Sequence, residues 1–308
     1  MSRMVNAASP LTIPTYDGSG QAMHPSIVDF GAPWNGHRYW MAMTPYPGSN
    51  STYENPSIVV SSNGIDWSVP AGLTNPIVGP PPADGSYYSD PDLVFDGTTL
   101  YCFFRFNDAS TPPAVIRYQV VTSTDGVTWS SPSVYLTSGT GYLSPAVLLD
   151  GSTWHLWQRG GGFGAIRWSS ATPTGFAAGA NCYFTNVPAG HGVWHFDVFK
   201  HDGLFKMLAN TDYDTNKGAL YLATSTDGLN FVFEDEPLLD ISAGWDNSRI
   251  YRASGYIDDT GLLRVWYSAL GSSGWGTGYT SLAGRSNATG IEPTALVGTG
   301  AGSLTRAI

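Results

Sequence analysis

A short polar phrase recurs along the chain and restricts the fold that the chain can adopt. It reads SNGIDW at residues 62–67, TDGVTW at 124–129 and TDGLNF at 226–231. Each copy follows runs of about five to eight residues rich in Val, Ile, Tyr, Phe and Trp, as strands are. Because Asp-Gly or Asn-Gly between such runs is the signal of a tight hairpin, the phrase marks the end of a repeated unit of antiparallel strands.

The repeated unit occurs five times, with starts near residues 24, 90, 144, 194 and 251. Units of about 50 residues with four strands each are typical of β-propeller blades. No stretch shows a sustained helical period of apolar residues. The sequence therefore predicts an all-β fold, a five-bladed β-propeller with four-stranded antiparallel blades around a central channel.

The chain before the first unit is interpreted as a separate arm. Residues 1–23 form this N-terminal arm, and residues 24–308 form the propeller. Leu11–Tyr16 is a candidate strand that closes the ring by joining the fifth blade, whose own outer strand has the weakest pattern. Such a strand would cover two sheet edges that otherwise favour aggregation.

Composition excludes several classes of partner. The net charge is −10 and only 14 residues are Lys or Arg, which argues against nucleic acid and against an anionic membrane. Aromatic residues make up 13% of the chain and charged residues 12%, a balance that favours a neutral glycan. The first residues lack the apolar core of a signal peptide, which predicts synthesis in the cytoplasm without a secretion signal.

Two cysteines, Cys102 and Cys182, lie far apart in apolar, strand-like runs. Two buried free thiols are the favoured interpretation, and a disulfide between them is the alternative.

Polar residues stand at the start of each unit. The first strand of a propeller blade lines the channel, and proline is tolerated at the beginning of a strand. We therefore expect these side chains to meet at one mouth of the channel. They are His24, Asp90 and Ser144, each followed by proline, together with His195 and the Tyr251-Arg252 pair.

The phrases DPDLVFDG and TSTDGVTW, set on five repeats of this size, resemble the five-bladed propellers of glycoside hydrolase families 43 and 32. The run from HPSIVDFG through YENPSIVVSSNG to SDPDLV is similar, more closely, to family-43-like propellers of bacteriophage tail and bacterial surface proteins. The resemblance covers residues from about 20 to about 270 and is strongest in the first two blades.

This resemblance implies three carboxylates, namely a base on the first blade, an orienting Asp on the second and an acid on the third. His24 stands at the position of the base, and Ser144 stands at the position of the acid. Asp90 matches the orienting residue. Two of the three carboxylates are therefore missing, which favours recognition of a glycan over its cleavage.

Other acids offer a rearranged catalytic set. Glu54, Asp90 and Asp197 are the candidates if the protein is an enzyme, and His24 with Asp90 is an alternative acid–base pair. Asp212 or Asp214 are further acids that could reach the channel. Asp90 also has a structural interpretation as a turn former, and His24 as a strand cap.

The predicted substrate-binding residues are polar residues at strand starts, scarce cations at strand ends and aromatic residues in loops rich in Gly, Pro and Ser. They are His24, Tyr53, Tyr88, Ser144, Arg159, His195, Trp245, Arg249 and Arg252, with Trp34, Tyr46, Tyr87 and Trp275 as further loop aromatics. Asp125 and Asp227 are interpreted as turn residues, and Trp40, Trp157 and Trp266 as packed between blades.

The sequence thus predicts a carbohydrate-recognising propeller, most plausibly a receptor-binding protein of a virion tail that binds a host cell-surface glycan. Its expected location is the virion tail or the extracellular space after lysis, and other tail proteins are possible partners. The alternative is a family-43-like glycoside hydrolase acting on cell-wall or plant-type polysaccharide, and a structural hub is a third hypothesis. No cofactor or metal is expected; a central Ca²⁺ near His195 is conceivable, but no spacing motif supports it.

Overall fold

The computed structural model describes residues 3–110, 112–138, 143–160, 164–213 and 217–283. Within these ranges the chain is built of eighteen β-strands and two short 3₁₀ turns, Pro47–Ser49 and Ser51–Tyr53. No helix in the described part is long and apolar enough to cross a membrane.

The strands form five consecutive antiparallel groups. The first group contains β1 (Ala22–Trp34), β2 (His37–Pro45) and β3 (Ser57–Ser61); the second contains β4 (Tyr87–Phe95), β5 (Leu100–Asp108), β6 (Val115–Ser123) and β7 (Ser133–Ser138). The third contains β8 (Leu143–Asp150), β9 (Thr153–Arg159), β10 (Ala165–Ser170) and β11 (Gly179–Thr185). The fourth contains β12 (Gly192–His201), β13 (Leu204–Tyr213), β14 (Lys217–Ser225) and β15 (Asn230–Phe233), and the fifth contains β16 (Arg249–Ile257), β17 (Leu262–Gly271) and β18 (Gly274–Ala283).

The first strands of the five groups form a closed circle. Strand β1 contacts β4, β4 contacts β8, β8 contacts β12, β12 contacts β16, and β16 returns to β1. Each group extends outward from this circle by antiparallel pairing. The prediction of a five-bladed β-propeller is therefore confirmed.

Two blades have three strands rather than the expected four in the described part of the chain. In blade one, Ser68 makes a single bridge to Val60 where a fourth strand would lie. In blade five, the N-terminal arm lies along β18, and the Leu11 amide donates to the Thr277 carbonyl at 2.8 Å. Residues 11–16 contain no regular strand.

Blades three and four share one sheet of eight strands. Their outer strands, β11 and β15, pair in parallel, with Tyr183 opposite Asn230 and Thr185 opposite Val232. This parallel pair joins the two blades at the rim of the propeller.

The recurring polar phrase forms the same turn in three blades. In blade two, Ser123 Oγ accepts the Gly126 amide, and Asp125 Oδ1 accepts the amides of Val127 and Thr128 at 2.8 and 2.7 Å. Equivalent bonds occur at Ser61–Asn63 and at Ser225–Asp227. The interpretation of Asp125 and Asp227 as turn residues is confirmed, since both use their side chains on the local backbone.

Each of these turns packs beneath a tryptophan of the preceding blade. Trp266 Nε1 donates to the Gly64 carbonyl and Trp157 Nε1 to the Gly228 carbonyl, both at 2.8 Å. A side chain at Gly126, where φ is +75°, would overlap the Trp40 ring. The three tryptophans are at most 1% exposed, which confirms that they are packed between blades. The hydrophobic clusters likewise lie in the seams between neighbouring blades.

Both cysteines are buried and carry free thiols, as the favoured interpretation expected. Burial raises the pKa of the Cys182 thiol to about 12, so this thiol stays protonated.

Candidate functional site

All five inner strands are irregular near the same mouth of the channel. The register of pairing shifts between Met23 and Ser26, Ser89 and Asp92, Leu143 and Ala146, Val193 and Phe196, and Ile250 and Ala253. A β-bulge inserts a residue into one strand and re-aims its side chain. The polar residues at the starts of the blades occupy these bulges.

Three of the bulged residues have a left-handed backbone. The φ angles are +55° at His24, +57° at Asp90 and +39° at Ser144, and each residue precedes a proline. Residues before proline favour an extended conformation, and a positive φ costs a residue other than glycine about 1 kcal/mol or more. The chain carries this strain at three equivalent places, all of them at the mouth of the channel.

A cavity of about 700 Å³ opens at this mouth. Its charged and titratable lining residues are His24, Glu54, Asp90, Arg105, His195 and Arg249. Its aromatic lining residues are Tyr46, Tyr87, Trp194, Tyr251 and Trp275.

Two histidines and one aspartate converge at the floor of the cavity. His24 Nε2 lies 3.3 Å from Asp90 Oδ1, and His195 Nδ1 lies 3.9 Å from the same oxygen. One ligand atom from each of the three residues lies within 4.8 Å of the others. All three side chains are at most 5% exposed. We call this group the His-Asp-His triad.

The buried environment holds both imidazoles neutral. Burial lowers the pKa of His24 to about 4, because the attraction of Asp90 only partly opposes the burial and the charges of Arg252 and Arg105 reinforce it. The pKa of His195 is lowered well below its usual value for the same reasons. A neutral imidazole has a lone pair available for a metal ion.

Asp90 stays ionised despite its burial. Burial alone would raise the pKa of this carboxyl, but the positive charge of Arg105, reinforced by Arg252, outweighs that effect and holds the pKa far below its usual range. Arg105 Nε lies 3.3 Å from Asp90 Oδ2. Oδ1, on the other side of the carboxylate, faces the histidines.

The triad fits a small divalent cation. Bonds of about 2.0–2.2 Å at tetrahedral angles place neighbouring ligand atoms about 3.3–3.6 Å apart, which matches the separation of His24 Nε2 and Asp90 Oδ1. The triad as a whole spans up to 4.8 Å, so His195 would move inward to complete the site. His195 Nε2 is buried and has no hydrogen-bond partner among the described residues. Three protein ligands leave a fourth position for water or substrate, as in catalytic zinc sites. Ca²⁺ suits the triad less well, because it takes about six to eight oxygen ligands.

Hydroxyl groups behind the triad fix the orientation of both rings. Thr44 Oγ1 lies 2.9 Å from His24 Nδ1, and Ser144 Oγ is hydrogen bonded to His195 Nδ1. Such bonds orient a metal-ligating imidazole and select its tautomer. Ser144 therefore acts on His195 rather than lining the cavity.

Glu54 stands beside the triad, and its surroundings favour the protonated carboxyl. Burial and the charge of Asp90 raise its pKa well above the usual value. Glu54 Oε2 is 3.9 Å from His24 Nδ1 and has no hydrogen-bond partner in the described structure. A buried carboxyl with a raised pKa next to an open cavity is suited to moving a proton.

The predicted catalytic set of Glu54, Asp90 and Asp197 does not assemble. Asp197 lies in the layer below the triad, where its Oδ2 accepts the Gly255 amide at 3.3 Å. Glu54 and Asp90 both face the ring of His24. The imidazole thus lies between the two carboxyl groups, where a glycosidase would need space for the scissile bond.

The layer below the triad ties neighbouring blades together. Ser26 Oγ donates to Asp92 Oδ1 at 2.8 Å and accepts the Leu93 amide at 2.9 Å. Asp92 Oδ2 accepts the Val147 amide at 2.6 Å. Arg252 is buried here, 3.6 Å from Asp92, so it neutralises channel acids and does not line the cavity.

An aromatic wall faces the triad. The Tyr251 ring packs edge-on against His195 at 4.4 Å and contacts Trp275 at 5.4 Å. Trp194 Nε1 donates to the Tyr251 hydroxyl at 3.0 Å, so this hydroxyl keeps its own hydrogen for a ligand. Tyr46 extends the wall beyond Trp275, with ring centroids 5.8 Å apart. Such surfaces stack against the apolar faces of sugars.

Several predicted ligand-binding residues lie elsewhere. Tyr53 is 42% exposed outside the cavity, and Tyr88 stacks on Phe106 within blade two. Trp245 Nε1 donates to the Ala7 carbonyl and thereby holds the N-terminal arm. Trp34 stacks on Phe30 in the blade-one core. None of the four lines the cavity; Trp34, Tyr88 and Trp245 pack within the fold, and Tyr53 lies on the surface.

The remaining polar predictions lie at the rim. Arg249 lines the cavity and is paired with Asp212. Arg159 lies behind Trp194, with its guanidinium 4.2 Å from the ring centroid. Asp214 lies outside the described residues.

Sequence reasoning missed Arg105 and Trp194. Arg105 lies within β5, a second strand, and no neighbouring motif in the sequence indicates that its side chain reaches the channel. Trp194 was placed in an inner strand but was not singled out. Its position next to His195 at a strand start was the available signal.

Comparisons with known proteins agree with this geometry. No model of a known protein family matches the chain. The chain is 30% identical, over 81% of its length, to the A type blood N-acetyl-α-D-galactosamine deacetylase of Flavonifractor plautii. It spans 40% of that enzyme's length.

Solved structures show the same fold. An N-acetylgalactosamine deacetylase from F. plautii, in complex with blood group B trisaccharide, superposes with a TM-score of 0.81 at 25% identity, covering 91% of this chain and 96% of that one. A family 43 glycoside hydrolase protein from Bacillus licheniformis gives a TM-score of 0.63 at 16% identity, covering 84% and 52%. The resemblance to family-43-like propellers is therefore confirmed at the level of the fold. The closeness to phage-tail proteins stays a prediction.

Proposed function

We propose that this chain is a metal-dependent deacetylase of N-acetylated sugars. The observation that carries the proposal is the His-Asp-His triad, with Glu54 beside it, at the floor of an aromatic-walled cavity. The F. plautii relatives, which are N-acetylgalactosamine deacetylases by description, support the same reaction class.

Amide hydrolysis requires a nucleophilic water, stabilisation of the developing oxyanion and a proton for the departing amine. His24, Asp90 and His195 would hold the cation. When bound, a divalent cation such as Zn²⁺ polarises a carbonyl group and lowers the pKa of water. Thr44 and Ser144 keep the two imidazoles in the ligating orientation.

The other groups of the site supply the proton transfers and the binding surface. Next to a cation held by the neighbouring triad, Glu54 would favour its carboxylate form. This carboxylate would accept a proton from the attacking water at its unpartnered Oε2 and return it to the sugar nitrogen. The Tyr251 hydroxyl donates to the acetyl oxygen as negative charge develops on that atom. Trp275 and Tyr46 stack against the sugar ring. The products are acetate and the free amino sugar.

Glycosidic cleavage is less well supported, because two opposed carboxyl groups with space between them are missing from the described cavity. Recognition without turnover would not require two neutral imidazoles around an ionised aspartate, with a buried glutamate of raised pKa beside them. The relatives named above are carbohydrate-active proteins, and none is a tail protein. Receptor binding, virion partners and a virion location therefore stay predictions.

A direct assay tests the proposal. Purified protein with Zn²⁺ is incubated with the methyl glycosides of N-acetylgalactosamine and N-acetylglucosamine, and acetate and primary amine are measured. We expect equimolar acetate and amine from at least one glycoside, loss of both after chelation, and recovery with Zn²⁺. Release of methanol without acetate would show a glycosidase instead, and release of neither product from either glycoside would refute the proposal.

A further inference from the structure

A second polar pair stands at the rim of the cavity, outside the triad. Arg249 Nη2 contacts both carboxylate oxygens of Asp212, at 2.7 and 2.6 Å. The two side chains are 19% and 20% exposed, so the pair is largely withdrawn from water. It joins the end of β13 in blade four to the start of β16 in blade five.

Only one edge of the Arg249 guanidinium is used. Nη2 makes both contacts with Asp212, whereas Nε is buried and has no hydrogen-bond partner in the described structure. A buried charged donor without a partner is costly, and an arginine that served only the ion pair would present two nitrogens to the carboxylate. Nε itself is buried, but Arg249 lines the cavity and its side chain is 19% exposed, so the exposed part of the guanidinium is open to a ligand there.

The guanidinium is also held in place. It lies over the Tyr251 ring at 4.9 Å, and Tyr251 in turn packs against His195. The rim pair is thus connected to the triad through one aromatic ring. A sugar whose acetamido group reaches the triad would bring its ring substituents to the rim.

Charge selects the kind of substituent. Arginine offers only donors and aspartate only acceptors, and the pair presents them side by side. A hydroxyl can accept from the exposed part of the Arg249 guanidinium and donate to Asp212 at the same time. A carboxylate or sulfate would be repelled by Asp212, and an ammonium group by Arg249.

We infer that Arg249 and Asp212 form a specificity-determining subsite that binds a hydroxyl group of the sugar ring. This inference rests on the proposed deacetylase function. The subsite makes the protein select neutral N-acetylhexosamines that carry this hydroxyl over analogues that lack it.

Deoxy sugars test the subsite. The 3-deoxy, 4-deoxy and 6-deoxy methyl glycosides of the preferred N-acetylhexosamine are compared with the parent in the Zn²⁺-loaded wild type and in Arg249→Lys and Asp212→Asn. We expect one deoxy analogue to show a KM about tenfold higher in the wild type, since a hydrogen bond to a charged group is lost. In Arg249→Lys the KM for the same analogue should not rise further, and kcat for the parent should change little.

Two outcomes would overturn the inference. One is that both variants weaken the parent and every deoxy analogue equally, which would show a merely structural pair. The other is that neither variant changes the KM for any substrate. Arg264→Lys is the matched control, because Arg264 forms a similar pair with Asp258 in blade five, 2.8 Å long and outside the cavity; its KM values should match the wild type.

A binding measurement separates this inference from the proposed reaction. Calorimetric titration of the wild type and Arg249→Lys with the deacetylated amino sugar and its deoxy forms requires no turnover. If acetate is never released but the selective, Arg249-dependent loss of affinity is seen, the deacetylase proposal fails and the subsite stands. If acetate is released and binding shows no such selectivity, the subsite fails alone.

Discussion

Replacing Asp90 by asparagine removes one negative charge from the triad and keeps the size of the side chain. In the wild type this carboxylate is 1% exposed and lies 3.3 Å from both Arg105 Nε and His24 Nε2. Breaking a buried ion pair costs about 3–5 kcal/mol. Arg105 keeps a 3.0 Å bond to Ser89 Oγ, so we expect a loss near the lower limit, about 3 kcal/mol in the free energy of unfolding.

The effect of the substitution on metal binding is separable from this loss. Asp90 supplies the anionic ligand of the triad, and its removal should weaken Zn²⁺ binding at least ~100-fold, more than the loss of an outer-sphere partner. At a Zn²⁺ concentration 100 times the wild-type Kd, the ion stabilises the wild type by about 2.7 kcal/mol. The variant, then near its own Kd, should gain only about 0.4 kcal/mol.

Urea unfolding followed by tryptophan fluorescence, with Zn²⁺ or with a chelator, measures all four free energies. The test compares the Zn²⁺-induced increase in the free energy of unfolding between the wild type and the variant. Any general destabilisation by the substitution cancels from this comparison. Asp258→Asn, which disrupts an ion pair remote from the cavity, should show the wild-type shift. If Asp90→Asn gains as much from Zn²⁺ as the wild type does, the triad is not the metal site.

Three further predictions concern the same site and the fold that supports it. Because the pKa of His24 is about 4 in the fold and about 6.5 for a solvated histidine, the unfolded chain binds more protons between these pH values. The free energy of unfolding of the chelated protein should therefore reach its maximum above about pH 6.5 and fall by about 3 kcal/mol as the pH drops to 4. Urea unfolding at several pH values should show a smaller fall in His24→Gln, and an equal fall would contradict the prediction. Glu54→Gln should lower kcat for deacetylation by about 100-fold or more while Zn²⁺ affinity, measured by chelator competition, changes less than tenfold; retained activity would exclude Glu54 as the proton carrier. Gly126→Ala should destabilise the fold by several kcal/mol, because its φ is positive and the methyl group would overlap Trp40, and an unchanged thermal melt would argue against the packing of this seam.

The repeat phrase made the fold predictable, because its residues act locally. Asp125 and Asp227 bond to their own turns, so turn type, strand ends and blade number follow from the sequence. The convergence of His24, Asp90 and His195 was also predictable, since each stands at the start of an inner strand. Their proposed role as metal ligands was not, because the sequence shows His24 only as a position where a carboxylate is missing.

The depth of a residue in the channel could not be predicted. His195 and Asp197 share one face of β12 by alternation, yet one faces the cavity and the other ties the blades beneath it. Loop aromatics posed a similar difficulty. Trp245 and Trp275 both follow polar loops, but which loop covers the arm and which borders the cavity depends on contacts between distant segments.

The seam between blades three and four differs from the other four. At those seams a Ser or Asp of one inner strand accepts an amide of the next blade, but the equivalent position here is Ala146, which has no polar side chain. This seam is joined at the rim by the parallel pairing of β11 and β15, and near the axis by the hydrogen bond between Ser144 and His195. This bond therefore both links the two blades and orients the imidazole of His195, so any loosening of this seam would displace a side chain of the triad directly.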